Sequence, residues 1–136
     1  MASILIVEDD PAVARLLELT FAVDGLQTVA VATGGEARSR LDGPATDLVV
    51  LDVMLPDIDG LSVLRALRSH TGWEDTKVVL LTALGGDDDV WRGWASGTDY
   101  YLTKPFELAP LRAIADRLLA GEDLSDEEPN VSVGSV

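Results

Sequence analysis

Five side chains with phosphorus chemistry in their reach sit at the ends of short apolar runs. Glu8 and Asp9 follow Ile4-Leu5-Ile6-Val7, Asp52 follows Leu48-Val49-Val50-Leu51, and Thr82 follows Val78-Val79-Leu80-Leu81. Lys104 stands just beyond Tyr100-Tyr101-Leu102 and precedes Pro105. Carboxylates that converge repel one another, and a cluster of them is tolerated when a divalent cation neutralises it. A donor set made of oxygen selects a hard ion, and few carboxylates with room for water suit Mg²⁺. A carboxylate can also act as a nucleophile and form an acyl phosphate. The phosphoryl group in transit needs its oxygens neutralised by the metal on one side and fixed donors on the other. The Thr82 hydroxyl and the Lys104 ammonium are donors of that kind, so the set suffices for phosphoryl transfer.

Something must bring these distant residues together. Short, β-branched, unbroken apolar runs are the mark of strands buried on both faces, in a parallel sheet covered by helices. Strands are predicted near 3–7, 27–31, 47–51, 77–81 and 99–102. Between them, Val13, Leu16, Leu17 and Thr20 recur at helical spacing after Asp10-Pro11, an N-cap followed by proline at the first helical position, with Gly25 as the stop. Further helices are predicted around 35–41, from Leu61 through Leu67, over 87–96 and over 108–119. Strand-helix alternation five times over gives an α/β fold, a doubly wound five-stranded parallel sheet with five helices. In such sheets ligands bind beyond the carboxyl ends of the strands, where strand order reverses. All five candidate groups fall on that rim.

Composition narrows the field. The 136 residues suit one domain, and a hydrophobic fraction of 47% argues against wholesale disorder. No apolar run approaches the roughly 20 residues of a membrane span, and no secretory leader pattern opens the chain, so a cytoplasmic location is expected. The absence of cysteine excludes disulfides, thiolate metal sites and cysteine nucleophiles. A net charge of −14, from 24 acids and 10 bases, should repel nucleic-acid backbones, so direct nucleic-acid binding by this chain is not expected. Residues 1–120 are read as the folded domain. Residues 121–136, acidic at first and then small and aperiodic, are read as a disordered tail or linker stub.

Four motifs in order, Ile6-Val7-Glu8-Asp9-Asp10, Asp52-Val53-Met54-Leu55-Pro56-Asp57-Ile58-Asp59-Gly60, Leu81-Thr82-Ala83 and Tyr101-Leu102-Thr103-Lys104-Pro105-Phe106, resemble the receiver domain of bacterial two-component response regulators. The resemblance covers residues 3 to 120 and implies the flavodoxin-like strand order 2-1-3-4-5. It implies that Asp52 is the phosphoacceptor. It also implies that Glu8 and Asp9 hold Mg²⁺, Asp9 directly and Glu8 through water, with the Met54 backbone carbonyl as a further ligand. Thr82 resembles the switch hydroxyl, Tyr101 the aromatic that turns inward with it, and Lys104 the lysine that pairs with the phosphoryl group. Lys104-Pro105 resembles the family's cis peptide, a bond accessible at low cost only before proline. The implied partners are a sensor histidine kinase or phosphotransfer protein and a downstream protein. The downstream partner would meet the face made by the 87–96 helix, the last strand and the 108–119 helix, with the chain a monomer or a phosphorylation-dependent dimer.

Other acidic and aromatic residues have plainer readings. Asp10 is an N-cap, Asp57 and Asp59 shape the loop before Gly60, and Asp87-Asp88-Asp89 answers a helix dipole. His70 is read as a surface residue, and Trp73 lies in the loop before the fourth strand. Trp91 and Trp94 share one side of a helix and suit either core packing or partner anchoring. The expected output is that of a single-domain regulator, an acceptor switch and not an enzyme with turnover. The alternative is the receiver part of a longer transcription factor. Against that stand Val90, Tyr100, Ile114 and Asp116, where the winged-helix subfamily carries the charges of its dimer face. An aspartyl-phosphate hydrolase would want a second aspartate two positions after the nucleophile, and Met54, which cannot transfer protons, stands there. A phosphate-independent pseudo-receiver would lack one of the five groups, and all five are present.

Overall fold

A computed structural model describes residues 2–82 and 97–124. In chain order the elements are β1 (Ser3–Val7), α1 (Pro11–Val23), β2 (Gln27–Val31), α2 (Gly34–Arg40), β3 (Leu48–Asp52), α3 (Gly60–Ser69), β4 (Lys77–Thr82), β5 (Tyr100–Thr103) and α4 (Leu108–Leu119). The helix expected over 87–96 lies outside the described residues, as do Ala83, Leu84, Asp87, Asp88, Asp89, Val90, Trp91, Trp94 and the tail from 125. The strands form one parallel sheet in the order β2-β1-β3-β4-β5. That is the 2-1-3-4-5 order of the sequence expectation.

Period-two alternation along each strand gives the sheet two dry faces. On one, Leu5, Val49, Leu51, Val78 and Leu80 pack against α2, α3 and Trp73. On the other, Ile4, Ile6, Val50, Val79 and Leu81 pack against Leu17 and Phe21 of α1 and Leu111 and Leu118 of α4. Burying each such aliphatic side chain stabilises the fold by about 1.5–3 kcal/mol. Leu124 joins this second cluster, so packing continues past the end of α4.

The helix ends obey local rules. Asp10 accepts from the amides of Ala12 and Val13 with Pro11 at the first helical position, and Gly25 follows α1 at φ +85°. Asp59 caps α3 through the Leu61 amide. One detail departs from expectation. Leu16 is not part of the core stripe of α1: it is 47% exposed, and the buried pair is Leu17 and Phe21, four apart on the side facing the sheet. Trp73 lies in the loop before β4, as expected; it is fully buried, and its indole N–H donates to the Leu41 carbonyl at 3.0 Å. His70 is half-buried and faces Asp42 at 3.3 Å. At the far end of the sheet from the candidate site, Arg68 donates to the carbonyls of Thr76 and Gly97, each at 2.6 Å, and to the Asp99 carboxylate at 2.9 Å. No helix among the described residues is long and apolar enough to cross a membrane.

Candidate functional site

The three central strands deliver the site. β1 ends at Val7, so Glu8 and Asp9 leave its carboxyl end; Asp52 is the last residue of β3 and Thr82 the last of β4. Thr103 pairs with Thr82 in register, and the Lys104 amide donates to the Thr82 carbonyl at 2.7 Å, which sets the lysine at the same rim. Because β1 lies between β2 and β3, the chain reverses direction across the sheet there, and the rim beside β1 and β3 is the crevice that the topology leaves open.

Glu8, Asp9 and Asp52 each place a carboxylate oxygen within 4.8 Å of the others'. Glu8 and Asp52 are buried and Asp9 is exposed. Lys104 bridges the buried pair: its ammonium donates to Glu8 Oε1 at 2.8 Å and to Asp52 Oδ2 at 3.0 Å. The second oxygen of each carboxylate has a backbone donor. The Asp10 amide reaches Glu8 Oε2 at 3.0 Å, and the Met54 amide reaches Asp52 Oδ1 at 2.9 Å. Burial pushes the Glu8 carboxyl above its ordinary range, outweighing the hydrogen bonds from Lys104 and Asp10 that favour its charge. For Lys104, burial works against the ammonium, yet its bonds to Glu8 and Asp52 prevail and hold it above its ordinary value.

Among the described residues, three carboxylates and one ammonium leave the cluster with surplus negative charge and oxygen donors at its mouth. That donor set fits a hard divalent cation. Thr82 is buried at the same rim. The Lys104–Pro105 peptide is cis, as the resemblance implied. Tyr101 is already inside, buried in the core on the α2 and α3 side. Met54 is 57% exposed, so its side chain is not part of the site while its amide is. Tyr100 and Ile114 are buried in the core on the α1 and α4 side, and Asp116 is exposed.

Close packing of the loop after β3 depends on Gly60. Its amide donates to the Val53 carbonyl at 2.9 Å, and a Cβ at this residue would lie 2.3 Å from the Asp52 carbonyl oxygen. The sequence reading placed Asp57 as a loop-shaping residue but missed its partners: the carboxylate accepts from the Gly34 and Gly35 amides of α2. Two adjacent glycines at the start of α2 were the only local hint.

A family model described as the response regulator receiver domain matches residues 4–116. The transcriptional regulatory protein TcrA of Mycobacterium tuberculosis (strain ATCC 25618 / H37Rv) is 45% identical over 118 residues, which cover 84% of this chain and 46% of TcrA. The chain thus spans about half the length of the curated relatives it matches, among them the DNA-binding response regulator MtrA of Mycolicibacterium smegmatis, 37% identical over 98% of this chain and 57% of MtrA. Among solved structures, the receiver domain of sensor histidine kinase PA1611 from Pseudomonas aeruginosa PAO1, crystallised with a magnesium ion coordinated in its active site cleft, superposes with a TM-score of 0.79. It is 29% identical and covers 88% of this chain and 98% of that one.

Proposed function

The chain belongs to the response regulator receiver domain family, and from that membership we propose that it is a phosphorylation switch whose acceptor is Asp52. The observation that carries the reading is the Lys104 ammonium held between Glu8 and Asp52 at 2.8 and 3.0 Å, with the exposed Asp9 beside them. Asp9, Asp52 and the Met54 carbonyl would hold Mg²⁺, with Glu8 acting through water. Bound there, the ion would neutralise the phosphoryl oxygens and orient an incoming donor.

The chain's own groups do the rest. An Asp52 carboxylate oxygen attacks the phosphorus of a histidine kinase's phosphohistidine; an oxygen–phosphorus bond forms as the nitrogen–phosphorus bond breaks, and the histidine leaves with the electron pair. The Met54 amide on Asp52 Oδ1 and the Lys104 ammonium on Oδ2 hold the carboxylate in one orientation. Lys104 then trades its contact with the Asp52 carboxylate for one with a phosphoryl oxygen, and Thr82 donates to another. Release of Lys104 from its present bridge, together with the movement of Thr82, changes the surface around β5 and so its preference for a partner. Hydrolysis of the acyl phosphate resets the switch. The acceptor is regenerated each time, and the chain is a switch that serves other proteins. Its setting is the cytoplasm, where kinases of this class present their phosphohistidine.

A direct protein–protein output is supported by a net charge of −14 and by buried Ile114 and Tyr100 where a charged dimer face would need basic and acidic groups. A second output, as the receiver part of a DNA-binding regulator, is favoured by relatives such as TcrA and MtrA. Light scattering after size exclusion, with and without beryllofluoride and Mg²⁺, separates them: a symmetric dimer on activation favours the second.

The acceptor itself is tested by labelling with acetyl phosphate. Wild type takes up one phosphoryl group in Mg²⁺ and none in excess chelator, and Asp52→Asn takes up none. Equal labelling of Asp52→Asn refutes the assignment.

A further inference from the structure

The sequence predicts for Asp57 a role in shaping its own loop, and the structure shows the partners through which it would do so, at the start of α2. Oδ1 accepts the Gly34 amide at 2.8 Å and Oδ2 accepts the Gly35 amide at 2.8 Å, across 23 and 22 residues of sequence. A carboxylate taking two parallel N–H donors is held in orientation as well as in place. A second contact, independent of charge, pins the same segment. Ile58 packs so closely on Gly34 that a Cβ there would lie 2.2 Å from Ile58 Cγ1. Farther along, Gly60 is fixed against Asp52 and Val53. The stretch from Val53 to Gly60 is therefore fastened at its middle to α2 and at its end to β3. Met54 lies between β3 and the first of those fastenings, with its amide on the Asp52 carboxylate.

The geometry points to Asp57 as a positioning residue: through the amides of Gly34 and Gly35 it holds the loop after β3 where Met54 keeps its amide on Asp52 and turns its carbonyl to a divalent cation. The inference rests on the phosphoacceptor reading of the site and adds to it a residue that touches neither cation nor phosphoryl group. It makes the start of α2 a structural support of the phosphorylation site.

Mg²⁺ binding by calorimetry, together with amide NMR of Gly34, Gly35 and Met54, tests it without any phosphoryl transfer. Asp57→Ala is expected to weaken Mg²⁺ roughly tenfold, the loss typical when a group supporting a metal ligand is removed, with the Met54 amide resonance displaced. The loss should persist in about 1 M KCl, where exposed charges more than ~3 Å apart are screened. Gly34→Ala, which leaves the charge intact but forces Ile58 away, should weaken binding in the same direction. Wild-type affinity in Asp57→Ala overturns the proposal, and so does a loss that vanishes at high salt, since that is the signature of net charge alone. Wild-type protein that takes up no Mg²⁺ is a different failure, one that removes the phosphoacceptor reading itself.

Discussion

Lys104 is the residue on which the resting site turns. Two buried carboxylates cannot both stay ionised at close range without a cation, and in this structure the ammonium between Glu8 and Asp52 supplies it. Lys104→Met should therefore destabilise the metal-free protein by roughly 1–3 kcal/mol, less than for a fully buried pair because the site is open on one side. Saturating Mg²⁺ should recover most of that loss, since the ion replaces the missing charge. Urea midpoints with and without Mg²⁺ measure both; a variant as stable as wild type in chelator would show that the bridge does not hold the carboxylates. The place of this residue in the cluster was legible before the fold was known, because it is one of two lysines in the chain and stands beside a proline at a strand end. The contacts of Asp57 and Trp73 were not legible. Their partners, Gly34 with Gly35 and the Leu41 carbonyl, lie 22 to 32 residues away, and only the packed arrangement brings them close.

At the scale of elements, the strands and helix caps could be read from the chain because they obey local rules. Asp10-Pro11 opens α1 and Gly25 closes it, and unbroken aliphatic runs become strands with helices on both faces. What local rules could not give was which face of α1 turns inward: Leu16 and Leu17 are equally apolar, and the docking angle of the helix leaves Leu16 exposed. The contact between the loop after β3 and α2 belongs to this scale and carries a pH dependence. The Gly35 and Gly34 amides favour the charged Asp57 carboxylate and hold it below the ordinary value of 3.8. A depressed carboxylate contributes stability that is complete above the unfolded value and is lost as pH falls through the folded one. The stability difference between wild type and Asp57→Ala should thus stay constant from neutral pH down to about pH 5 and shrink only in stronger acid. Chemical denaturation across that range checks it, and a difference that fades above pH 5 contradicts it.

Across the whole molecule, a strongly acidic chain concentrates three carboxylates at one crevice of its sheet and opposes them there with a single ammonium. Folded protein alone assembles this cluster, so a cation that binds it stabilises the fold by mass action, about 2.7 kcal/mol at roughly 100 times its dissociation constant. The thermal midpoint should rise with Mg²⁺ in wild type and stay fixed in Asp9→Asn. An equal rise in that variant would move the ion elsewhere on the acidic surface. The convergence itself is tested most directly by a crystal structure with Mg²⁺ and beryllofluoride. The expected result is the beryllofluoride on the Asp52 carboxylate, the ion on Asp9, Asp52 and the Met54 carbonyl, and Lys104 and Thr82 on the fluorines. A beryllofluoride seated away from Asp52, or Lys104 still spanning Glu8 and Asp52 beneath it, would contradict the account.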